Sequence, residues 1–469
     1  MLKVYLDSNI YSDISKADDL ELVNIVYRLS EDEILFIYSQ AHLNDLSNDK
    51  TDNKYKELDL IEEVANTNFL QQDYQTGLIT NSVVKAHEAF KYFGEIQNNL
   101  GSSLLTSFNE TGDVHVDSYL QSLKQNPIDL GSDIEKILSR DSSDSERSML
   151  TRIGITKRHY KMDEWIKVVS KMFDDFENDT DLLRSVRQQS KQLLKVDKLN
   201  INIDDVNFDK NLSKSKIGKS FKDLLDQQLS YYPDDKTNFY QEFVTGYNMI
   251  NFLGFDSETN RKVRFKNTLN DAQHSYFGGT SNIIVSEDKG LLNKTRFLYS
   301  YYGFETKVMT KDEFKTFLKS YKPTKYINET YLLDDLQRER NVSLIVAEKS
   351  PLIRHNLSQE TRKLSHMYWG LFNYLVDIRS IENDDEYIVL FPHYTRTGNI
   401  TYYKEVNYII NSLNVTFGTE FKALSEVDIS SISNGTWKGL TWETDITKYW
   451  LRFNFETRNL GLQIGPFKT

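Results

Sequence analysis

The stretch that decides the fold is KVYLDSN, at residues 3–9. Its apolar part, VYL, has the composition of a short strand, and the DSN that follows contains residue types that end strands and cap helices. A helical pattern of apolar residues spans 18–30, and a second apolar run, ILFIY, spans 34–38. The second run has no polar alternation, which is typical of a strand buried on both faces of a parallel sheet. The beginning of the chain therefore predicts a β-α-β unit.

Alternating helices and strands return after residue 255. In the order helix, strand, helix, strand, helix, the sequence predicts elements at 270–276, 282–286, 289–299, 305–309 and 311–320. We therefore expect an α/β domain with a parallel sheet flanked by helices, built from two separate segments, 1–54 and 255–322. The KPT at 322–324 is the strongest boundary signal in the chain.

The segment between these two pieces, 55–254, is predicted to be a mostly helical insertion, because strand-like alternation is scarce there. Its predicted helices lie at 54–65, 82–98, 133–138, 163–176, 181–194 and 220–229. Two polar stretches, 101–113 and 197–215, have little pattern of either kind.

The remainder of the chain, 330–469, is predicted to be a separate C-terminal α+β domain. The apolar residues of 357–378 recur at helical spacing, so this segment is predicted to be a helix. Residues 387–391 predict a strand, and the alternating apolar residues at 449–455 and 460–464 predict an antiparallel hairpin.

The composition excludes several kinds of site and partner. The chain has 469 residues and no cysteine, which rules out disulfides, thiolate zinc sites and cysteine nucleophiles. Its formal net charge of −12 argues against bulk electrostatic attraction to nucleic acid over the whole chain. No apolar run approaches the roughly 18 residues of a membrane span, and an acid follows the first strand where a signal peptide is apolar. We therefore expect a cytoplasmic protein with no membrane partner.

Four acidic residues occupy positions that an α/β fold brings to one edge of the sheet. Asp7 directly follows the first strand, Asp45 lies on the helix after the second, Asp271 opens a helix, and Asp288 follows the strand at 282–286. Functional groups collect outside the carboxyl ends of the strands in such sheets. Two carboxylates about 4 Å apart repel by about 4 kcal/mol at an effective dielectric of 20, so a cluster of them predicts a bound cation. Oxygen ligands without cysteine or clustered histidine favour Mg²⁺ or Mn²⁺.

The segments around these acids resemble those of the PIN-domain nucleases. They are VYLDSN at 4–9, YSQAHLNDL at 38–46, NDAQH at 270–274 and IVSEDK at 284–289. The family has an apolar strand followed by D-[TS]-N, an acid on the next helix, a D-A-x-H-like helix start, and [TS]-x-D after a strand. The resemblance covers about 1–55 and 255–320, roughly a quarter of the chain.

This resemblance implies a metal-dependent endonuclease that cleaves phosphodiester bonds, with RNA favoured over DNA as the substrate. The four catalytic positions it implies are Asp7, Asp45, Asp271 and Asp288, of which Asp7, Asp271 and Asp288 hold the metal. The supporting polar positions it implies are Asn9 and Ser286. His274 lies on the same helical face as Asp271, three residues later, where it can hydrogen-bond a carboxylate of the site or play a structural role. The long insertion and the additional domain favour a role in phage defence or toxin-like RNA cleavage. A protein partner or a second copy of the chain could bind through the insertion or through the C-terminal domain.

Other interpretations of the same residues stay open. Each acid taken alone is also a suitable helix-capping or first-turn residue. The second acid is Asp where the family more often has Glu, which leaves a non-catalytic binding module on a degenerate PIN fold as the alternative function. Phosphoryl transfer by an Asp7 nucleophile is disfavoured, because that chemistry requires an acid where Asn9 stands. Trp437, Trp442 and Trp450 are expected to pack in a core, with base stacking as the alternative.

Overall fold

The computed structural model describes most of the chain. The described residues are 1–29, 33–73, 76–93, 127–139, 144–193, 208–214, 218–230, 238–253, 265–321, 325–352, 357–380, 385–392, 396–398, 400–419, 424–433, 436–453 and 460–466. The strands are β1 (Leu2–Leu6), β2 (Ile34–Ser39), β3 (Asn68–Gln72), β4 (Ile79–Val83), β5 (Pro127–Asp129), β6 (His159–Lys161), β7 (Ile283–Val285), β8 (Lys307–Met309), β9 (Leu344–Leu352), β10 (Leu357–Tyr368), β11 (Phe372–Ser380), β12 (Glu386–Phe391), β13 (Leu440–Glu443), β14 (Lys448–Phe453) and β15 (Leu460–Ile464).

The helices follow in the same chain order. They are α1 (Ser8–Ser15), α2 (Leu20–Leu29), α3 (Gln40–Asn48), α4 (Asn53–Ala65), α5 (Ala86–Phe93), α6 (Ser132–Leu138), α7 (Asp144–Arg152), α8 (Met162–Asn178), α9 (Thr180–Leu193), α10 (Phe208–Ser213), α11 (Phe221–Leu229), α12 (Phe239–Phe252), α13 (Phe265–Gly278), α14 (Lys289–Tyr302), α15 (Lys311–Ser320), α16 (Glu329–Val342), α17 (Tyr403–Phe417) and α18 (Glu426–Ser433). None of the described helices is both long enough and apolar enough to cross a membrane.

The chain forms two compact units. The first contains Met1–Ala89, Asn238–Gln241 and His274–Thr469, and the second contains Phe90–Thr237 and Glu242–Gln273. Both large sheets belong to the first unit.

The first sheet has six strands in the order β4-β3-β2-β1-β7-β8, which confirms the predicted α/β class. Neighbouring strands from β3 to β8 pair in parallel, and β4 pairs antiparallel at one edge. Every residue of β1 and β2 is buried, as the apolar runs predict, and Lys3, the charged residue of β1, is buried with them. The chain proceeds from β1 towards β3 on one side and later from β7 to β8 on the other, so the topological switch point lies between β1 and β7.

Two strands of this sheet, β3 and β4, were not predicted. The predicted helix at 82–98 is wrong at its start, because Ser82 and Val83 belong to β4 and the helix begins only at Ala86. In β4, ITNSV, the β-branched residues favour a strand, but the segment has no alternating apolar pattern. It forms a strand here because β3 supplies an antiparallel partner. Residues 94–98 lie outside the described part of the chain.

The helix predicted at 54–65 is confirmed as α4 of the first unit, and the second unit contains most of the other predicted helices of the insertion. Those predicted at 133–138, 163–176, 181–194 and 220–229 are confirmed with ends shifted by one or two residues. The polar stretch 101–113 lies outside the described residues, as does most of 197–215.

The second large sheet has seven antiparallel strands in the order β13-β14-β15-β12-β11-β10-β9. Its core lies between one face of the sheet and α16 and α17, and the predicted strand at 387–391 and C-terminal hairpin are confirmed. The predicted helix at 357–378 is wrong, since this segment is the β10–β11 hairpin. Its tight turn places Trp369 and Gly370 at positive φ, and the register shifts between Lys363 and Tyr368. The turn and the shift bring apolar residues of two strands to one face, which produces a spacing that imitates a helix.

Candidate active site

The register of the first sheet places polar residues side by side at its carboxyl edge. Leu6 pairs with Val285 of β7, and Tyr5 pairs with Ile37 of β2. Continuing this register beyond the strands places Asp7 next to Ser286 on one side and next to Ser39 on the other. The backbone N–H of Asp7 donates to the Val285 carbonyl at 2.9 Å, so the alignment extends to Asp7 itself.

Asp7 is held at this edge by three hydrogen bonds. It is 5% exposed and caps α1, where its Oδ1 accepts from the backbone N–H of Ser8 at 2.8 Å. Its Oδ2 accepts from Asn9 Nδ2 at 2.8 Å and from Ser286 Oγ at 2.7 Å. A carboxylate has about four acceptor positions, so one position on Oδ1 remains for a further ligand.

Burial makes the charge of Asp7 costly. Desolvation raises the pKa of Asp7, although the nearby His274 and the Ser286 hydroxyl oppose this effect. Among the described residues, His274 is the only basic side chain within ion-pair distance, with its Nε2 3.7 Å from Asp7 Oδ1. The fold therefore keeps a carboxylate at a position where a cation would relieve its desolvation.

A second carboxylate converges on the same imidazole nitrogen. Asp45 Oδ2 lies 2.9 Å from His274 Nε2, and Ser8 Oγ lies 3.3 Å from it. Burial raises the pKa of Asp45, but the hydrogen bond and charge of His274 outweigh burial and the net effect is a lowered pKa. His274 is 1% exposed, whereas the Asp45 side chain is 38% exposed, so Asp45 marks the open side of the site.

A hydrogen-bonded layer behind His274 fixes its orientation. His274 Nδ1 lies 2.7 Å from the hydroxyl of Tyr5, which lies 2.7 Å from Ser39 Oγ. Because Nε2 faces two carboxylates, we assign a proton to it, and in the neutral ring Nδ1 then accepts from Tyr5. Ser39 is able to donate to Tyr5 in turn, which completes a chain from Ser39 to Asp45.

His42 lies against this layer as a neutral ring. Its Nε2 donates to the Leu6 carbonyl at 2.6 Å, and its Nδ1 accepts from the backbone N–H of Ser39 at 3.0 Å. Burial, followed by the charge of His274, lowers the pKa of His42 to about 3. The strand end and the start of α3 are thus joined by a histidine that stays uncharged at neutral pH.

This depressed pKa predicts a pH-dependent stability. In the unfolded chain His42 takes up a proton near pH 6.5, and in the fold it does so only near pH 3. The wild-type free energy of unfolding should therefore fall as the pH drops from 6.5 towards 3, by about 1.4 kcal/mol per pH unit from this group. We expect His42→Gln to flatten the profile measured by urea unfolding, whereas the same change at the exposed His87 should not. An unchanged slope in His42→Gln would contradict the assignment.

The other two predicted acids occupy different surroundings. Asp288 caps α14, where its Oδ1 accepts from the backbone N–H of Leu291 at 3.0 Å. Its backbone N–H donates to Ser286 Oγ at 3.0 Å, so the Ser286 hydroxyl links Asp288 to Asp7. Asp271 is half-buried on α13, three residues before His274, in a segment that belongs to the second unit. No group of three or more His, Asp or Glu side chains placed to hold a metal ion occurs within the described ranges.

The structure thus brings Asp7, Asp45, Asn9, Ser286 and His274 into one hydrogen-bonded site, with Asp288 joined to it through Ser286. Tyr5, Ser8 and His42 also belong to this site, and none of them was predicted from the sequence. A polar signal was present, since Tyr5 interrupts an aliphatic run and His42 stands between Ala41 and Leu43 near a helix start. Only the packing showed that these polar groups face one another.

Comparison with known protein families, characterised proteins and solved structures finds no match for this chain.

Proposed function

We propose that this chain is a metal-dependent nuclease of the PIN-like type, acting on RNA in preference to DNA. The observation that carries the proposal is the convergence of Asp7 and Asp45 on His274, at the carboxyl edge of a parallel sheet. This edge lies at the topological switch point, where open α/β sheets bind their ligands.

The donor set fits a hard divalent cation. Asp7 retains an acceptor position on Oδ1, and Asp45 presents a half-buried carboxylate to the same imidazole. Mg²⁺ is usually held by one or two carboxylates together with water and substrate phosphate, so this pair is sufficient. A bound Mg²⁺ or Mn²⁺ would supply an activated water and would stabilise the charge that develops on phosphate. In this proposal Asp271 and Asp288 are further ligands.

The residues around the carboxylates have distinct roles. Asn9 and Ser286 fix the orientation of Asp7, and His274 fixes that of Asp45. The N-termini of α1, α3, α14 and α15 all follow strands of this sheet at the same edge. Their backbone N–H groups favour phosphate and offset its repulsion by the acids.

A non-catalytic binding module is the second candidate. It is favoured by the lack of a preassembled group of three acids among the described residues and by the pairing of Asp45 with His274. Thermal unfolding with Mn²⁺ separates the two candidates. A functional site gains about 2.7 kcal/mol at a metal concentration one hundred times Kd, whereas a degenerate site gains nothing.

The proposal predicts that Asp288→Asn loses cleavage without losing stability. Asn keeps the size of the side chain and accepts from the Leu291 N–H equally well, but it removes one negative charge. We expect cleavage of single-stranded RNA with Mn²⁺ to be abolished, as it is for the wild type in EDTA. The melting temperature of the metal-free protein should be unchanged or slightly higher. Cleavage at the wild-type rate would show that Asp288 is only a cap.

A further inference from the structure

Among the described residues, α16 and α17 pack against one face of the second large sheet and leave its other face without a helix. Along β14, Tyr449, Leu451 and Phe453 point into the core. Because successive side chains of a strand point to opposite faces, Trp450 and Arg452 point away from that core. Both are half-buried, whereas Trp437 and Trp442 lie in the core as expected.

The neighbouring strands continue this outer face, which we define by Tyr387, Val389, Phe391, Trp450, Arg452 and Gln463. Trp450 pairs with Gln463, and Gln463 pairs with Val389. Two residues further along β14, Arg452 pairs with Gly461 of β15. Phe391 of β12 lies on the other side of Gly461 in the same register. Two strand spacings, about 10 Å, separate Arg452 from Phe391, and the glycine between them has no side chain to fill the gap.

The outer face has the chemistry of a stacking surface. The Arg452 guanidinium lies 3.6 Å from the centroid of the Trp450 ring, and Phe391 and Tyr374 pack with ring centroids 5.6 Å apart. Val389 and Phe391 are half-buried although their strand is central in the sheet, so their outer sides are accessible. Planar side chains of this kind bind bases without a strong sequence preference.

Basic side chains lie beside the rings of this face. Lys438 and Lys448 are exposed beside Trp450 and Arg452. The acids near them are Glu443, across from Lys448, and Asp385, which hydrogen-bonds Tyr387. These basic side chains complement phosphate, while the full chain carries −12. Aromatic rings interleaved with basic side chains on an open sheet are the arrangement that single strands favour.

We propose that the outer face binds single-stranded nucleic acid and so presents the substrate strand to the protein. The identity of that strand as the substrate rests on the proposed nuclease function, whereas the binding itself does not.

The test is fluorescence anisotropy of a labelled single-stranded oligouridylate RNA with the full-length protein in EDTA. We expect the double variant Arg452→Gln/Phe391→Leu to bind about tenfold more weakly. Arg452→Gln alone should reduce the slope of log affinity against log salt by about 0.7, the amount expected for one phosphate contact. Arg338→Gln makes the same charge change at an exposed position on α16, on the opposite side of the sheet, and should bind as the wild type does.

Several outcomes overturn the proposal. One is wild-type affinity for RNA in the double variant, and another is no RNA binding by the wild type. A third is a salt-sensitive dimer that the same substitutions dissociate, because the outer face then binds a second copy of the chain. Crosslinking of 4-thiouridine RNA to the wild type provides a second measurement, and crosslinks should map to Trp450 or Phe391. RNA binding without Mn²⁺-dependent cleavage would support this binding surface and refute the nuclease function. Mn²⁺-dependent cleavage together with unchanged RNA binding in the double variant would support the nuclease function and refute this binding surface.

Discussion

Asp7→Asn is expected to reduce Mn²⁺-dependent RNA cleavage by at least about a hundredfold, and it should not destabilise the metal-free protein. Loss of residues that merely support metal ligands costs about 10- to 100-fold, so loss of a carboxylate ligand should cost more. Asn still accepts from the Ser8 N–H, and the removal of a buried charge offsets the loss of the oxygen that accepts from Asn9 and Ser286.

The stability effect has a defined sign. Burial raises the pKa of Asp7, so the folded protein holds this proton at pH values where the unfolded chain has released it. The wild type therefore loses stability as the pH rises from the ordinary range of an aspartic acid through this raised pKa. The Asn variant has no such proton to release, so it does not lose stability in this way. Its free energy of unfolding, measured with urea, should therefore increase relative to that of the wild type over this pH interval.

Asp13→Asn is the matched control for this change. Asp13 lies on the same helix α1 but pairs with Lys311 at 2.6 Å, away from His274. The Asp13→Asn variant should cleave RNA as the wild type does. Retention of wild-type cleavage by Asp7→Asn would remove the central ligand and with it the proposed site.

Lys3→Met is expected to lower the free energy of unfolding by about 3–5 kcal/mol. Lys3 on β1 pairs with Glu405 on α17 at 3.2 Å, and the two residues are 7% and 0% exposed. Among the described residues no other basic side chain lies within ion-pair distance of Glu405. Methionine preserves much of the volume but leaves the carboxylate buried without its partner, which is the source of the large cost.

A second variant distinguishes the unpaired charge from a general packing defect. Lys3→Met/Glu405→Leu removes both charges and should recover most of the lost stability, because apolar replacement of a buried pair is often neutral or favourable. Lys85→Met breaks an exposed pair with Glu62 and should cost less than about 1 kcal/mol in the same urea titration. A double variant as unstable as Lys3→Met would mean that the ion pair is not the reason for the loss.

The sequence by itself determined the class of the first sheet. The apolar runs within β1, β2 and β7 were predictable because strands buried on both faces require a largely apolar composition. The polar residues that end these runs, Asp7 and Ser286, were predictable as neighbours because parallel strands share one carboxyl edge.

Tertiary structure alone decided the remaining features. The polar strand β4 exists because β3 provides a pairing edge, and the β10–β11 hairpin depends on a turn and a register shift that periodicity cannot distinguish from a helix. The position of His274 between Asp7 and Asp45, and the contact of its other nitrogen with Tyr5, join residues more than two hundred positions apart. Local patterns specify which side chains a strand or helix buries, but the register and packing of distant segments determine which polar groups meet.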